Sequence, residues 1–288
     1  MKENTMRHRS LSCRIKPLFA RAPLMAFSGL ASVGVAQSAK DAMKPFLRHM
    51  ASAAFLMAVA LQAHAGVVIS TTRVVYQAND KEETVKLNNE GTLPLLVQAW
   101  LDSGDINASP AQIAVPFTLT PPMFRMDPGK GQALRLRYTG EPLPKDKETL
   151  FWLNVLEVPP KDKTTADTNA LRMAIRTRIK VMFRPKGLPG SAKDAPGALT
   201  WNVVREGDGY ALKASNASPY FVNLATVALS VAGKTLDAGQ GYVAPSGVAL
   251  FPVKDLSSAP GASADVQYVS IDDYGTKTEN KKSATVGQ

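Results

Sequence analysis

The strongest pattern along the chain lies between Leu150 and Pro185. Leu150 to Pro160 is an apolar run ending in two prolines, a polar loop follows from Lys161 to Asn169, and Leu171 to Arg184 contains neither Pro nor Gly. In that second segment Leu171, Met173, Ile175, Thr177, Ile179, Val181 and Phe183 alternate with Arg172, Ala174, Arg176, Arg178, Lys180, Met182 and Arg184. A period of two is that of a β-strand, here with one apolar and one basic face. As a single strand these residues would extend roughly 46 Å, well beyond the usual five or six residues. Two readings follow. Either part of the apolar row lies on or past a sheet edge, available to another chain, or two short core strands are joined by a bend.

The same period recurs on both sides. Gly66 to Tyr76 is rich in β-branched residues and predicts a strand, interrupted by an Arg73 whose spacing suits an edge or a solvent-facing position. Glu83 to Leu87, Leu95 to Leu101 (with Trp100 expected in the core), Pro116 to Leu119 and Ala133 to Tyr138 follow. Asp127-Pro128-Gly129 marks a turn, because Pro presets φ and Gly admits a positive one. Composition changes at the Pro/Gly-rich run Pro185 to Gly197, read as a hinge. Beyond it alternate Leu199 to Arg205, Tyr210 to Ala214, Val222 to Val231, Thr235 to Leu236, Val248 to Val253 and Val266 to Ile271. Short strands separated by turns, with almost no helical periodicity, predict an all-β chain of two sandwiches. The boundaries expected are a leader over 1–65, a first domain over 66–187, a second over 188–278 and a disordered polar tail over 279–288.

The leader changes the global numbers. A basic segment, Met43 to His49, precedes an apolar run from Met50 to Leu61 that is too short to span a bilayer, and Ala63-His64-Ala65 fits a cleavage site. A signal peptide over 43–65, cleaved near Ala65, is therefore expected, with residues 1–42 a misplaced start or an extension. No integral membrane segment is expected in the remaining 223 residues. Nine of the 34 Lys and Arg and two of the 24 acids lie in residues 1–65, so the remainder carries +3 rather than +10. Export and this small charge argue against nucleic acid. The single cysteine, Cys13, and His8, His49 and His64 all precede Gly66. The remainder thus has no route to a disulfide, a Cys or His metal site, a Ser-His-Asp triad or a Cys-His pair.

Candidate chemistry is sparse. Gly129-Lys130-Gly131 lacks the glycine spacing and following hydroxyl of a phosphate loop and reads as a hairpin turn. Adjacent side chains on a strand point opposite ways, so Asp272-Asp273 suits a loop or salt-bridge role better than a cation site. Glu148 and Glu157 form no recognisable acid/base pair. No cofactor, no metal and no enzymatic activity are expected.

The segments Thr72-Arg73-Val74, Pro121 to Lys130, Leu150 to Pro160, Ile179 to Pro185, Asn216 to Tyr220 and Ile271 to Gly275 occur in the order of one family and span nearly all of 66–275. On these residues the chain resembles the periplasmic pilus-assembly chaperones of the PapD-like family. The resemblance implies two immunoglobulin-like sandwiches in a boomerang arrangement and a non-enzymatic role. Such a protein would bind pilus or fimbrial subunits by donor-strand complementation and deliver them to an outer-membrane usher. It assigns Arg73 and Lys180 to the subunit's C-terminal carboxylate, Leu171, Met173 and Ile175 to the apolar donor row, and Glu157, Arg184 and Asp273 to ionic contacts between the domains. A rigid guanidinium fork beside a point cation suits a terminal carboxylate. The short loop from Lys161 to Ala170 and the lack of a cysteine pair resemble the short-loop subclass. Departures are Asp272 where the family often has Asn, Ala217 where it often has Pro, and no disulfide in the second domain. Self-association through the exposed edge is a further possibility when no subunit is bound. The competing readings are a pilin or adhesin, which would carry one incomplete sandwich, and a carbohydrate-binding module or a glycosidase using a carboxylate pair.

Overall fold

The structure, a computed structural model, describes residues 66–160, 173–256, 258–261 and 264–286. The expected signal peptide over 43–65 and Leu171 lie outside them. No helix among the described residues is long and apolar enough to cross a membrane.

Residues 66–184 build one sandwich. Its strands are β1 (Val67–Ile69), β2 (Arg73–Gln77), β3 (Glu83–Asn89), β4 (Leu95–Asp102), β5 (Phe117–Thr120), β6 (Met123–Met126), β7 (Gly131–Tyr138), β8 (Thr149–Val158) and β9 (Ile175–Arg184). They pair in the orders β1-β3-β7-β5 and β2-β9-β8-β4-β6. Between the sheets lie the inward members of each alternation, Val85 and Leu87, Val97 and Ala99, Leu134 and Leu136, Leu153 and Val155, and Ile179, Val181 and Phe183. Phe117 packs edge-on to Tyr76 and Phe151, with ring centroids 5.4 and 5.1 Å away, a geometry that suits aromatic quadrupoles.

Three expectations change here. The Gly66 to Tyr76 strand divides after Ile69, and its halves join different sheets: β1 pairs with β3, whereas β2 runs parallel to β9. The Thr71 hydroxyl bonds the Arg73 carbonyl at 2.6 Å within this crossing. Trp100 is only partly buried, because Val97, Ala99 and Leu101 take the inner face of β4 and leave Trp100 on the outer one. Asp127 to Lys130 is a turn, with the Lys130 N–H bonded to the Asp127 carbonyl at 3.1 Å and Gly129 at φ 68°. It is not a hairpin, since it links β6 of one sheet to β7 of the other.

The second sandwich contains β10 (Thr200–Glu206), β11 (Gly209–Asn216), β12 (Val222–Val231), β13 (Lys234–Asp237), β14 (Gly241–Val243), β15 (Gly247–Pro252), β16 (Ala264–Ile271) and β17 (Lys277–Val286). The order is β13-β12-β16-β17-β10-β11-β15, with β14 also on β12. Trp201, Leu212, Val227, Leu229, Val266 and Tyr268 form its centre. The polar tail is corrected: Lys277 to Ala284 pair antiparallel to β16, and Thr285 and Val286 continue parallel to β10. Only Ala284 in β17 is buried. A strand held by its backbone ladder with its side chains in water leaves no apolar alternation to read.

Candidate functional site

The site grows from β9, which lies between β2 and β8. β2 covers only Lys180 to Arg184, so among the described residues Ile175 to Ile179 have an unpaired edge on that side. The expected fourteen-residue strand is thus ten residues long, with Met173 and Ala174 leading into it. Met173 and Ile175 are 68% and 54% exposed, whereas Ile179 is buried. The apolar row therefore runs out of the core and onto the surface. There Met173 and Ile175 line an open cleft of about 240 Å³ with Leu93, Leu95 and Pro159.

Period two places Arg178, Lys180, Met182 and Arg184 together on the outer face of β9. Strand register then sets a row across the sheet, in which Arg73 on β2, Lys180 on β9, Trp152 on β8 and Asp102 on β4 are successive partners. Arg73 and Lys180, far apart in sequence, are thereby neighbours. Arg73 is only 8% exposed; its Nη1 donates to the Ile271 carbonyl at 3.3 Å, and its Nε is buried with no acceptor among the described residues. Lys180 Nζ donates to Asn223 Oδ1 at 2.6 Å and lies 4.3 Å from the centre of the Tyr242 ring. Burial, followed by the charge of Arg73, lowers the Lys180 ammonium to about 8. Burial also lowers Arg73, with Asp273 and Asp272 opposing it. Two partly desolvated cations and an unused N–H thus lie together, a donor chemistry suited to a small anion such as a carboxylate.

Two other arginines on this face are already neutralised. Arg178 pairs with the buried Asp102, stacks 4.3 Å from the Trp152 ring centre, and shares Asp102 with Asn154 Nδ2 at 2.7 Å. Burial would raise Asp102, but Arg178, Asn154 and the Gly104 N–H together hold it below the usual carboxylate range. Arg184 donates Nε to Glu148 at 2.5 Å, and Nη1 and Nη2 to Asp273 at 2.7 and 3.0 Å. Glu148 also accepts the Phe221 N–H at 2.7 Å, which ties the second sandwich to the first. Burial pushes Glu148 upward, with Arg184 opposing. Burial would lower Arg184, yet the Asp273 and Glu148 carboxylates outweigh it and raise it further above its ordinary range. The N–H donors from Arg184 and Phe221 favour the ionised form of Glu148.

The expected ionic set is therefore partly corrected. Arg184 and Asp273 meet, but Glu157 is elsewhere: buried, it accepts the Val67 N–H at 2.8 Å. Glu148 takes the place assigned to it. The signal was register. β8 and β9 are antiparallel with Thr149 opposite Phe183, which puts Glu148 beside Arg184, whereas Glu157 falls opposite Ile175. Asp272, whose Oδ1 accepts the Tyr274 and Thr276 N–H groups at 2.9 and 2.7 Å, shapes the loop that presents Asp273. Reading the sequence also missed Trp152, which strand pairing puts beside Lys180, and Asn223 and Tyr242, which reach Lys180 from the second sandwich.

Comparison with known proteins agrees with this architecture. Residues 66–189 match the pili and flagellar-assembly chaperone PapD N-terminal domain, and 194–282 match the pili assembly chaperone PapD C-terminal domain. The probable fimbrial chaperone YadV of Escherichia coli K12 is 42% identical over 226 residues, covering 77% of this chain and 92% of its own. Its crystal structure superposes with a TM-score of 0.66 over 76% of this chain and all of that one, at 40% identity. The chaperone protein FimB/FhaD of Bordetella pertussis is 43% identical over 230 residues, 78% of this chain and 91% of its own. SafB of Salmonella enterica, solved in complex with the SafA pilin, is 31% identical with a TM-score of 0.61, covering 76% of this chain and 96% of its own. Two complete sandwiches and these matches set the chain apart from the pilin, adhesin and carbohydrate-binding readings, and the chain belongs to the PapD family of pilus-assembly chaperones, proteins that work by binding rather than by catalysis.

Proposed function

We propose that this chaperone holds a fimbrial subunit along the free edge of β9 and delivers it to an outer-membrane usher. The observation that carries this reading is the continuity of three features on one strand. Unpaired backbone runs from Ile175 to Ile179, exposed apolar side chains lie at Met173 and Ile175, and the edge ends at Arg73 and Lys180. A subunit strand added at this edge would find main-chain partners, seat Met173 and Ile175 in its own open core, and place its terminal carboxylate between the two cations. Leu171 would extend the same apolar row. The exposed Arg176 on this edge opposes unspecific edge pairing while no subunit is bound. A leader cleaved near Ala65 would place this work in the periplasm.

The test is a periplasmic pull-down comparing wild type with Lys180→Ala and reading co-eluting proteins by mass spectrometry. Small single-domain β subunits recovered only with the wild type support the anchor. Equal recovery by both forms overturns it.

A further inference from the structure

Lys180 receives its partners from the second sandwich, and register shows that this is an organised arrangement. On the first sandwich Arg73, Lys180 and Trp152 are successive strand partners. On the second, Tyr242 of β14 pairs with Asn223 of β12, which pairs with Ile271 of β16. Both members of the cation pair are met by this second row. The Ile271 carbonyl takes Arg73 Nη1 at 3.3 Å, Asn223 Oδ1 takes Lys180 Nζ at 2.6 Å, and the Tyr242 ring lies 4.3 Å from the same nitrogen. Phe221 supports that ring, with centroids 5.8 Å apart. Asn223 is 5% exposed and its Nδ2 faces the Met182 sulfur at 3.8 Å, so its oxygen is committed to the ammonium.

An ammonium has three donors. One is used by Asn223 and the positive end of the group rests against the Tyr242 π-face, leaving donor capacity for a ligand. The chemistry of position 223 is decisive. A neutral amide oxygen orients Nζ without cancelling its charge. An aspartate has nearly the same shape but would form an internal ion pair and occupy the anchor permanently.

We propose that Asn223 and Tyr242 are the second sandwich's share of the subunit anchor. They are positioning residues that present Lys180 Nζ to a terminal carboxylate, and the neutrality of Asn223 keeps the site open. This rests on the reading of Arg73 and Lys180 as the carboxylate anchor. It assigns the second sandwich a part in recognising the subunit's C-terminus, in addition to supporting the first.

The test uses the full exported chain and a synthetic strand peptide of alternating valine and threonine, prepared as the free acid and as the C-terminal amide. Wild type is expected to prefer the acid. Asn223→Asp should weaken acid binding by about 30-fold, because the new carboxylate takes the charge-assisted bond the peptide's own carboxylate would make, while amide binding holds and thermal stability holds or rises. Tyr242→Leu keeps apolar bulk and is expected to lower acid binding by about fivefold, with the amide unaffected. Equal weakening of acid and amide in both variants would make these residues merely structural and overturn the inference, as would wild-type acid preference in both. A wild type that does not distinguish acid from amide overturns the anchor reading itself, and this inference with it.

Discussion

Lys180 and Arg184 lie four residues apart on one face of one strand, and their surroundings are opposite. Arg184 is saturated: Glu148 takes one donor, Asp273 two more, and the Tyr220 ring centre lies 5.3 Å away. Lys180 has an amide oxygen, an aromatic face and a second cation beside it. Both are partly desolvated. The saturated cation joins the two sandwiches; the undersaturated pair is the one proposed to take an anion from outside. Buried charge with incomplete compensation is unfavourable; Lys180 has no carboxylate partner among the described residues and Arg73 only the more distant charges of Asp273 and Asp272, which leaves both able to attract the proposed carboxylate.

That contrast can be broken at either end. The largest expected effect is on stability at the saturated end. Arg184→Ala leaves Glu148 and Asp273 close together without a cation, and should lower unfolding free energy by about 3–5 kcal/mol, measured by urea denaturation. Arg73→Ala or Lys180→Ala should do the reverse, leaving stability intact or slightly raised while weakening subunit binding by about 2–4 kcal/mol. Calorimetric titration beside a thermal melt separates these outcomes, and a loss of fold in either variant would make the cations structural.

A smaller effect is expected further along the edge. Met173→Glu puts a charge where an apolar subunit groove is proposed, and should weaken binding by about 1–3 kcal/mol; undiminished binding would remove Met173 from the donor row. The mildest lever is pH. Lys180 releases its proton near 8 rather than at its ordinary 10.5. An added carboxylate favours the charged form and raises that value in the complex. The contribution of Lys180 to affinity is therefore complete below about 8 and declines as pH rises through the interval up to the complex's own value. Folding carries the opposite sign: the unfavourable burial of the ammonium is fully present below about 8 and is relieved between there and 10.5. Titrating wild type against Lys180→Ala across this interval should show the affinity decline only in the former.

Much of the fold was legible in the chain. The alternation from Ile175 to Phe183 predicted the strand, its apolar face and its basic face, and turn residues separated most of the others. Lys180 and Arg73 were singled out from family motifs rather than from spacing, which by itself left Arg73 as an edge residue. β17 escaped notice because its side chains face water and its stability lies in backbone pairing. Glu157 was assigned to the ionic set from the family resemblance alone, and only the β8–β9 register shows that Glu148 is the acid that meets Arg184.

The sequence by itself determined period, polarity and punctuation: which residues form strands, which side of each strand is apolar, and that residues 66–288 contain neither Cys nor His. Those are local properties, set by side-chain type and by backbone freedom at Pro and Gly. Tertiary structure decided partnership. The first strand's change of sheet put Arg73 beside Lys180, the second sandwich's register brought Tyr242, Asn223 and Ile271 opposite them, and β2's short span left the β9 edge open. Pairing between distant segments is fixed by the joint packing of two sheets, and no short stretch of sequence carries that information.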